Sequence, residues 1–215
     1  APVSYGGFGS NVDMRSGSPA FGTPAHIQMS IGSGQLARHI GLPWRSGMGT
    51  AANTNDMQAS GETHMSLWGN LMGQATLIVH AAGWLEGGLT FGFEKFINDI
   101  EALEIIAHLC TPADASEEAM GLEAIASVPP GGHFFDSALT LARYRDAFRT
   151  PLNAEMANFG TWQDAGAATS EERATGIWQS VIGTFEPPAG CAERAGRIID
   201  YVARKQEAGG APILD

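Results

Sequence analysis

The residues best suited to chemistry stand in the run His80-Ala81-Ala82-Gly83-Trp84-Leu85-Glu86-Gly87-Gly88-Leu89-Thr90, between a strand-like Thr76-Leu77-Ile78-Val79 and a helical pattern that opens at Phe91. Glu86 thus lies on a glycine-rich turn beside an indole, where the carboxyl end of a strand gives way to a helix. Ligands of parallel α/β proteins bind at that end, because the side chains leaving the strands converge there while the rest of each strand is committed to the core. A carboxylate flanked by aromatic faces has two readings: a hydrogen-bonded structural acid, or the counter-charge of a bound cation. Quaternary ammonium groups suit the second, since they have no N–H to donate and are held by ring faces and diffuse charge. Tyr5, Phe8, Trp44, Trp84 and Phe134 all fall at or near loop ends.

Two similar junctions lie upstream. Tyr5-Gly6-Gly7-Phe8-Gly9-Ser10-Asn11-Val12-Asp13-Met14 has glycines that let the backbone approach a ligand, yet it lacks the Lys-Ser/Thr ending of a phosphate-binding loop and reads equally as a plain flexible loop. Gly47-Met48-Gly49-Thr50-Ala51-Ala52-Asn53-Thr54-Asn55-Asp56-Met57-Gln58 reads as a second ligand loop or merely as an Asn/Asp cap on the next helix. No nucleophile in it has a base beside it. The six histidines are scattered, without the i, i+4 pairing of a helical metal site. His26, His39, His64 and His108 fall in helical patterns as packing or surface residues, whereas His80 ends a strand and His133 follows Gly131-Gly132, so both could face a cleft.

Composition excludes several partners. The net charge of −11 disfavours nucleic acid and anionic membrane surfaces, whose binding rests on clustered Lys and Arg. Hydrophobic content of 44% over 215 residues is enough for a sizeable core in a folded domain. Cys110 and Cys191 make neither a disulfide framework nor a zinc site and read as small, mostly buried thiols. No apolar run is long enough to span a bilayer and no leader precedes Ala1, so the expected compartment is the cytoplasm.

Three strand-then-helix units position these loops. Strand signals cover Pro2 to Tyr5, Leu42 to Arg45 and Ala75 to His80; helices are expected over Pro24 to Ile40, Asp56 to Met72 and onward from Phe91. Pro24 suits a first helical turn and Gly41 a helix end. The second helix is expected to turn Met57, Met65, Trp68 and Met72 inward, and the third to bury Phe93, Phe96, Ile97, Ile100, Leu103 and Ala107. Past Thr111 only helices are expected: a short one from Ser116 to the Pro129-Pro130-Gly131-Gly132 break, then Asp136 to Phe148, Ser170 to Phe185 and Ala192 to Glu207. The charged residues of the last helix read as a solvated face. Alternating strand and helix predicts a parallel sheet with right-handed crossovers, an α/β architecture. Three strands cannot close a barrel, so the open edges call for a larger barrel or a second copy of the chain, making a homo-oligomer the expectation.

The blocks Val3-Ser4-Tyr5-Gly6-Gly7-Phe8, Phe21-Gly22-Thr23-Pro24, Gly34-Gln35-Leu36-Ala37-Arg38, Asp56-Met57-Gln58, His80 to Leu89, Phe93-Glu94-Lys95 and Pro130-Gly131-Gly132-His133-Phe134 together resemble the trimethylamine methyltransferase family, over Pro2 to about Pro188. The most specific parts are the Glu86 block and the Gly-Gly-His block. The resemblance implies a corrinoid-dependent methyltransferase built on a (β/α)8 TIM barrel about twice this length. This chain would then correspond to its carboxyl half: residues 1–110 as the last three barrel units, with parallel strands and crossover helices, and 111–215 as a helical carboxyl-terminal extension packed on the barrel.

Archaeal trimethylamine enzymes carry pyrrolysine in the second loop, at or near Gly49 here. The chain has none, and so resembles the pyrrolysine-free members, for which a quaternary amine such as glycine betaine is the implied substrate type. The methyl acceptor is then the Co(I) corrinoid (cobalamin) of a partner protein. The resemblance implies Glu86 and His133 as catalytic-site residues, with Glu86 orienting or balancing the cation. Trp84 and Phe8 would supply ring faces, with Tyr5, Gly49 and Phe134 around the substrate, and His133 or Arg45 could meet a substrate carboxylate. Carnitine, a proline betaine or a sulfonium compound would fit the same transfer. A module that binds a quaternary amine or a corrinoid protein without catalysis is the alternative from another class, and a fragment inert on its own is a third.

Overall fold

The computed structural model describes residues 1–7 and 9–209. It divides into a larger unit, Ala1–Trp178, and a smaller one from Gln179 onward. A parallel sheet of three strands, in the order β1 (Tyr5–Gly6), β2 (Trp44–Gly47), β3 (Leu77–Val79), forms the base of the larger unit. The register sets Tyr5 opposite Trp44, Gly6 opposite Arg45, and Arg45, Ser46 and Gly47 opposite Leu77, Ile78 and Val79. All three strands begin later than the apolar runs that announced them, and β3 stops at Val79, before His80.

Helix α1 (Pro24–His39) crosses from β1 to β2 and α2 (Met57–Met72) from β2 to β3. Pro24 starts α1 where a missing N–H has no partner to lose. Gly41, at φ +70°, ends it, with its N–H on Arg38 O and that of Leu42 on Ala37 O. Asp56 caps α2, accepting from the N–H of Gln58 at 2.9 Å and of Ala59 at 3.3 Å, a bond type that contributes about 1 kcal/mol. Beyond β3 the glycine-rich run folds into an antiparallel hairpin, β4 (Trp84–Leu85) with β5 (Thr90–Phe91), around a 3₁₀ turn at Glu86–Gly88. Helix α3 (Phe93–Leu109) follows.

The core joins Met48, just past β2, to Leu67 of α2 and Ala102 of α3, with Ile78, Ala81, Leu103 and Ile106 packed around them, and Trp44 is buried against Gly73. The faces that α2 and α3 turn inward differ from those expected. Met57, Met65, Trp68 and Met72 are all exposed, and α2 buries Ala59, Thr63, Ser66, Leu67, Gly69 and Asn70 instead. The reason is close approach. A Cβ on Gly34 of α1 would overlap the Gly73 carbonyl, and one on Gly69 would stand 3.1 Å from Ile27, so large side chains are excluded from this seam. On α3, Ile97 is buried and Ile100 and Leu103 half-buried as expected, while Phe93, Phe96 and Ala107 are exposed and Lys95, Asp99 and Glu101 are buried. These inward charges are paired. Phe93 instead stacks on Trp178, ring centroids 4.9 Å apart, and sits edge-on to Phe91.

After α3 come α4 (Glu117–Met120) and α5 (Leu122–Ser127), broken at Gly121 in the left-handed region, then α6 (Ala138–Arg143), α7 (Phe159–Asp164), α8 (Ser170–Gly183) and, in the smaller unit, α9 (Cys191–Glu207). The helix expected to Phe148 stops at Arg143, and α7, capped by Asn158, was not expected. Cys110 and Cys191 are free and exposed rather than buried, each at a helix end with one side open to solvent. Among the described residues no helix is long and apolar enough to cross a membrane.

Candidate functional site

The β2 chain end is held by one stripe of α2. Asn70, Ser66 and Glu62 recur at intervals of four, so they share a helix face. Asn70 Nδ2 donates to Gly47 O at 3.0 Å and Ser66 Oγ to Gly49 O at 3.0 Å. Glu62 Oε2 accepts from the Ala51 and Ala52 N–H groups, at 2.8 and 3.1 Å, and from the Thr50 hydroxyl. Gly47 and Met48 are also held by Val79 of β3, the Met48 N–H donating to Val79 O at 3.0 Å, and residues 49–52 beyond them are fixed by the α2 side chains.

The hairpin after β3 docks on that loop. The Glu86 N–H donates to Ala52 O at 2.8 Å and the Gly87 N–H to Thr50 O at 3.1 Å. Glu86 itself has φ +51°, and its exposed carboxylate accepts from the Thr90 hydroxyl at 2.7 Å. The indole of Trp84 lies over Gly88 and Gly49; a Cβ at Gly88 would overlap it, and one at Gly49 would stand 3.2 Å from its nitrogen. The loop after β1 closes the third side. Phe21, 6% exposed, is edge-on to Trp84 at 5.7 Å, and Pro19 lies against Gly87. His80, with φ +56°, places its ring 4.6 Å from Trp84. All three strand-end loops meet around Trp84.

Beneath them lie two buried polar groups. His26, 1% exposed, accepts the Gly22 N–H on Nδ1 at 3.1 Å, and burial holds its imidazole below the ordinary value. Lys95 Nζ pairs with Asp99 and donates to Thr63 Oγ1 at 2.8 Å; Asp99 also accepts the Thr63 hydroxyl at 3.2 Å and the Gly83 N–H at 2.9 Å. Burial pushes the Asp99 carboxyl up and the Lys95 ammonium down, and their mutual attraction opposes both shifts.

Of the residues expected in the site, the structure brings Gly49, Trp84 and Glu86 together. Tyr5, half-buried, shares its face of the sheet with Trp44, whereas Arg45 projects from the other face beside Gly6 and Leu77 and is exposed. His133 and Phe134 lie exposed on the turn after α5. The contacts of His133 are local, with Asp136 at 3.6 Å and the ring of Phe135 at 5.4 Å. Phe8 lies outside the described residues. Phe21, Glu62, Thr63, Lys95 and Asp99 were not expected in or beneath the site. Their signals were weak in isolation: an aromatic just before a Gly-Thr-Pro helix start, and a Lys and an Asp four apart inside an apolar stripe.

The arrangement offers ring faces beside the exposed carboxylate of Glu86. That donor set matches an organic cation. Among the described residues no three His, Cys, Asp or Glu side chains are grouped to hold a metal ion.

Comparison with known proteins shows the family of the chain. The family model for trimethylamine methyltransferase matches residues 1–210. A glycine betaine methyltransferase of Desulfitobacterium hafniense (strain Y51) is 32% identical over 205 residues, covering 95% of this chain and 43% of that protein. A trimethylamine methyltransferase of Desulfitobacterium hafniense (strain DSM 10664 / DCB-2) is 28% identical over 188 residues, 87% of this chain and 38% of that protein. One from Methanosarcina barkeri is 30% identical over 172 residues, 78% of this chain and 34% of that protein. The chain spans less than half the length of these curated relatives.

Proposed function

This chain belongs to the trimethylamine methyltransferase family, and on that premise we propose that it forms the substrate-holding part of a corrinoid-dependent methyltransferase. The methyl group passes from a quaternary amine such as glycine betaine to the Co(I) corrinoid of a partner protein. The observation that carries this reading is the ring cluster of Trp84, His80 and Phe21 beside the Glu86 turn. The parallel units of residues 1–110 are read as the last three of a (β/α)8 barrel, acting in the cytoplasm and within a homo-oligomer.

Each residue has a defined task. Trp84, with Phe21 and His80 against it, presents ring faces to the ammonium, and Glu86 balances its charge across the turn. Gly49 leaves the indole its space; a large side chain there would displace it. The Co(I) corrinoid supplies the attacking electron pair, while the C–N bond breaks with its own pair retained by a neutral tertiary amine. Because a cation and an electron-rich centre lose charge together, a site that excludes water favours the step. The protein contributes proximity and orientation.

The test is a Co(I) corrinoid methylation assay with glycine betaine, on this chain and on a longer chain supplying the residues that the relatives have beyond it. Methyl transfer by the longer chain supports the reading. Calorimetry that finds binding of the corrinoid protein, no binding of any quaternary amine and no turnover would replace the enzyme by a docking module.

A further inference from the structure

Asp99 does more than neutralise Lys95. The two residues are each 2% exposed, on consecutive turns of α3. A buried ion pair adds little stability over a well-packed apolar pair, so its further bond calls for a reason of its own. That bond joins Asp99 Oδ2 to the Gly83 N–H at 2.9 Å. Gly83, at φ +79°, immediately precedes Trp84, and its carbonyl accepts the Gly92 N–H at 3.0 Å, closing the base of the hairpin. The Phe91 ring fills the place where a Cβ on Gly83 would stand.

Resting on the function proposed above, we propose that Asp99 is a positioning residue: through the Gly83 N–H it sets the place of Trp84 and Glu86 over the Gly49 loop. Lys95 supplies the counter-charge that lets Asp99 stay an acceptor, and Thr63 ties the pair to α2. The neighbour of Thr63 on that helix, Glu62, holds residues 50–52, which in turn receive the N–H groups of Glu86 and Gly87. Adjacent residues of one helix therefore brace both loops, and a shift in either moves the indole relative to the carboxylate.

Two double variants of the longer chain separate positioning from charge. Lys95→Met with Asp99→Asn and Lys95→Met with Asp99→Leu both remove the ion pair, but only the asparagine oxygen can accept the Gly83 N–H. The leucine variant is expected to exchange its Gly83 and 84–91 amide hydrogens faster and to lose about 10²-fold in kcat/KM for glycine betaine, the cost of a misplaced reacting group. The asparagine variant rescues both. Lys95→Met with Asp99→Ser, whose side chain is too short to reach Gly83, carries the same comparison should the leucine variant not fold. Equal exchange and equal kcat/KM in the variants with and without the acceptor would overturn the proposal. A parent chain that transfers methyl from no quaternary amine overturns the functional reading instead, and amide exchange then still decides whether Asp99 holds the hairpin.

Discussion

The indole nitrogen of Trp84 lies 3.2 Å from the point where a Cβ on Gly49 would stand, so the second strand-end loop has no side chain exactly where the third loop lays its largest one. Phe21 is 3.3 Å from the same point. Gly49→Val is expected to push both rings aside, costing about 1–3 kcal/mol of stability by overpacking and weakening glycine betaine binding about tenfold or more. Calorimetric titration of variant and parent, with melting curves for each, checks both halves.

Glu86 carries its charge on an exposed turn, with one hydrogen bond from Thr90. Glu86→Gln keeps an acceptor for that hydroxyl and removes the charge. The melting temperature should stay within a degree or two of the parent while methyl transfer from a quaternary amine falls about tenfold, a difference of about 1.4 kcal/mol. Unchanged turnover would remove Glu86 from the site.

Glu62 is structural where Glu86 is not. Replacing it by Ala leaves the Ala51 N–H and the Thr50 hydroxyl without their acceptor, while the Ala52 N–H keeps Thr50 Oγ1 at 2.9 Å. A buried donor left unpaired costs about 1–3 kcal/mol, so Glu62→Ala should destabilise by about 2 kcal/mol and loosen the loop that receives Glu86. Glu62→Gln retains one acceptor oxygen and should lose less. Urea denaturation midpoints compare the two.

His26 predicts a pH dependence. Burial lowers its folded pKa below the ordinary 6.5, so at acid pH the unfolded chain binds a proton that the folded chain resists. Its contribution to stability is present above about pH 6.5 and is lost as pH falls from there through the folded value. His26→Gln, which does not titrate, should remove that part of the acid slope. Melting temperatures of parent and variant between about pH 7.5 and 5 test this, and parallel slopes would exclude it.

Much of the framework is legible because it rests on local rules. Pro24, Gly41 and Asp56 mark helix ends through backbone geometry and orphaned N–H groups, which neighbours in sequence decide. Alternation of strands and helices is enough to order three parallel strands, and the strand-end position of Trp84 and Glu86 follows from it. The hairpin was harder to see: strands of two residues around three glycine-rich positions have no period to detect.

What the sequence by itself determined is the order of the elements and the presence of a carboxylate and an indole on one strand-end turn. Only the tertiary structure decided which faces are inside. Met65, Trp68 and Met72 are outside although apolar, because the α1–α2 seam is filled where Gly69 meets Ile27 and Gly34 meets the Gly73 carbonyl. Lys95 and Asp99 are inside although charged, because Thr63 and the Gly83 N–H, distant in sequence, complete their hydrogen bonds. Burial follows from whether a group finds partners and space among remote neighbours, and no side chain carries that information alone.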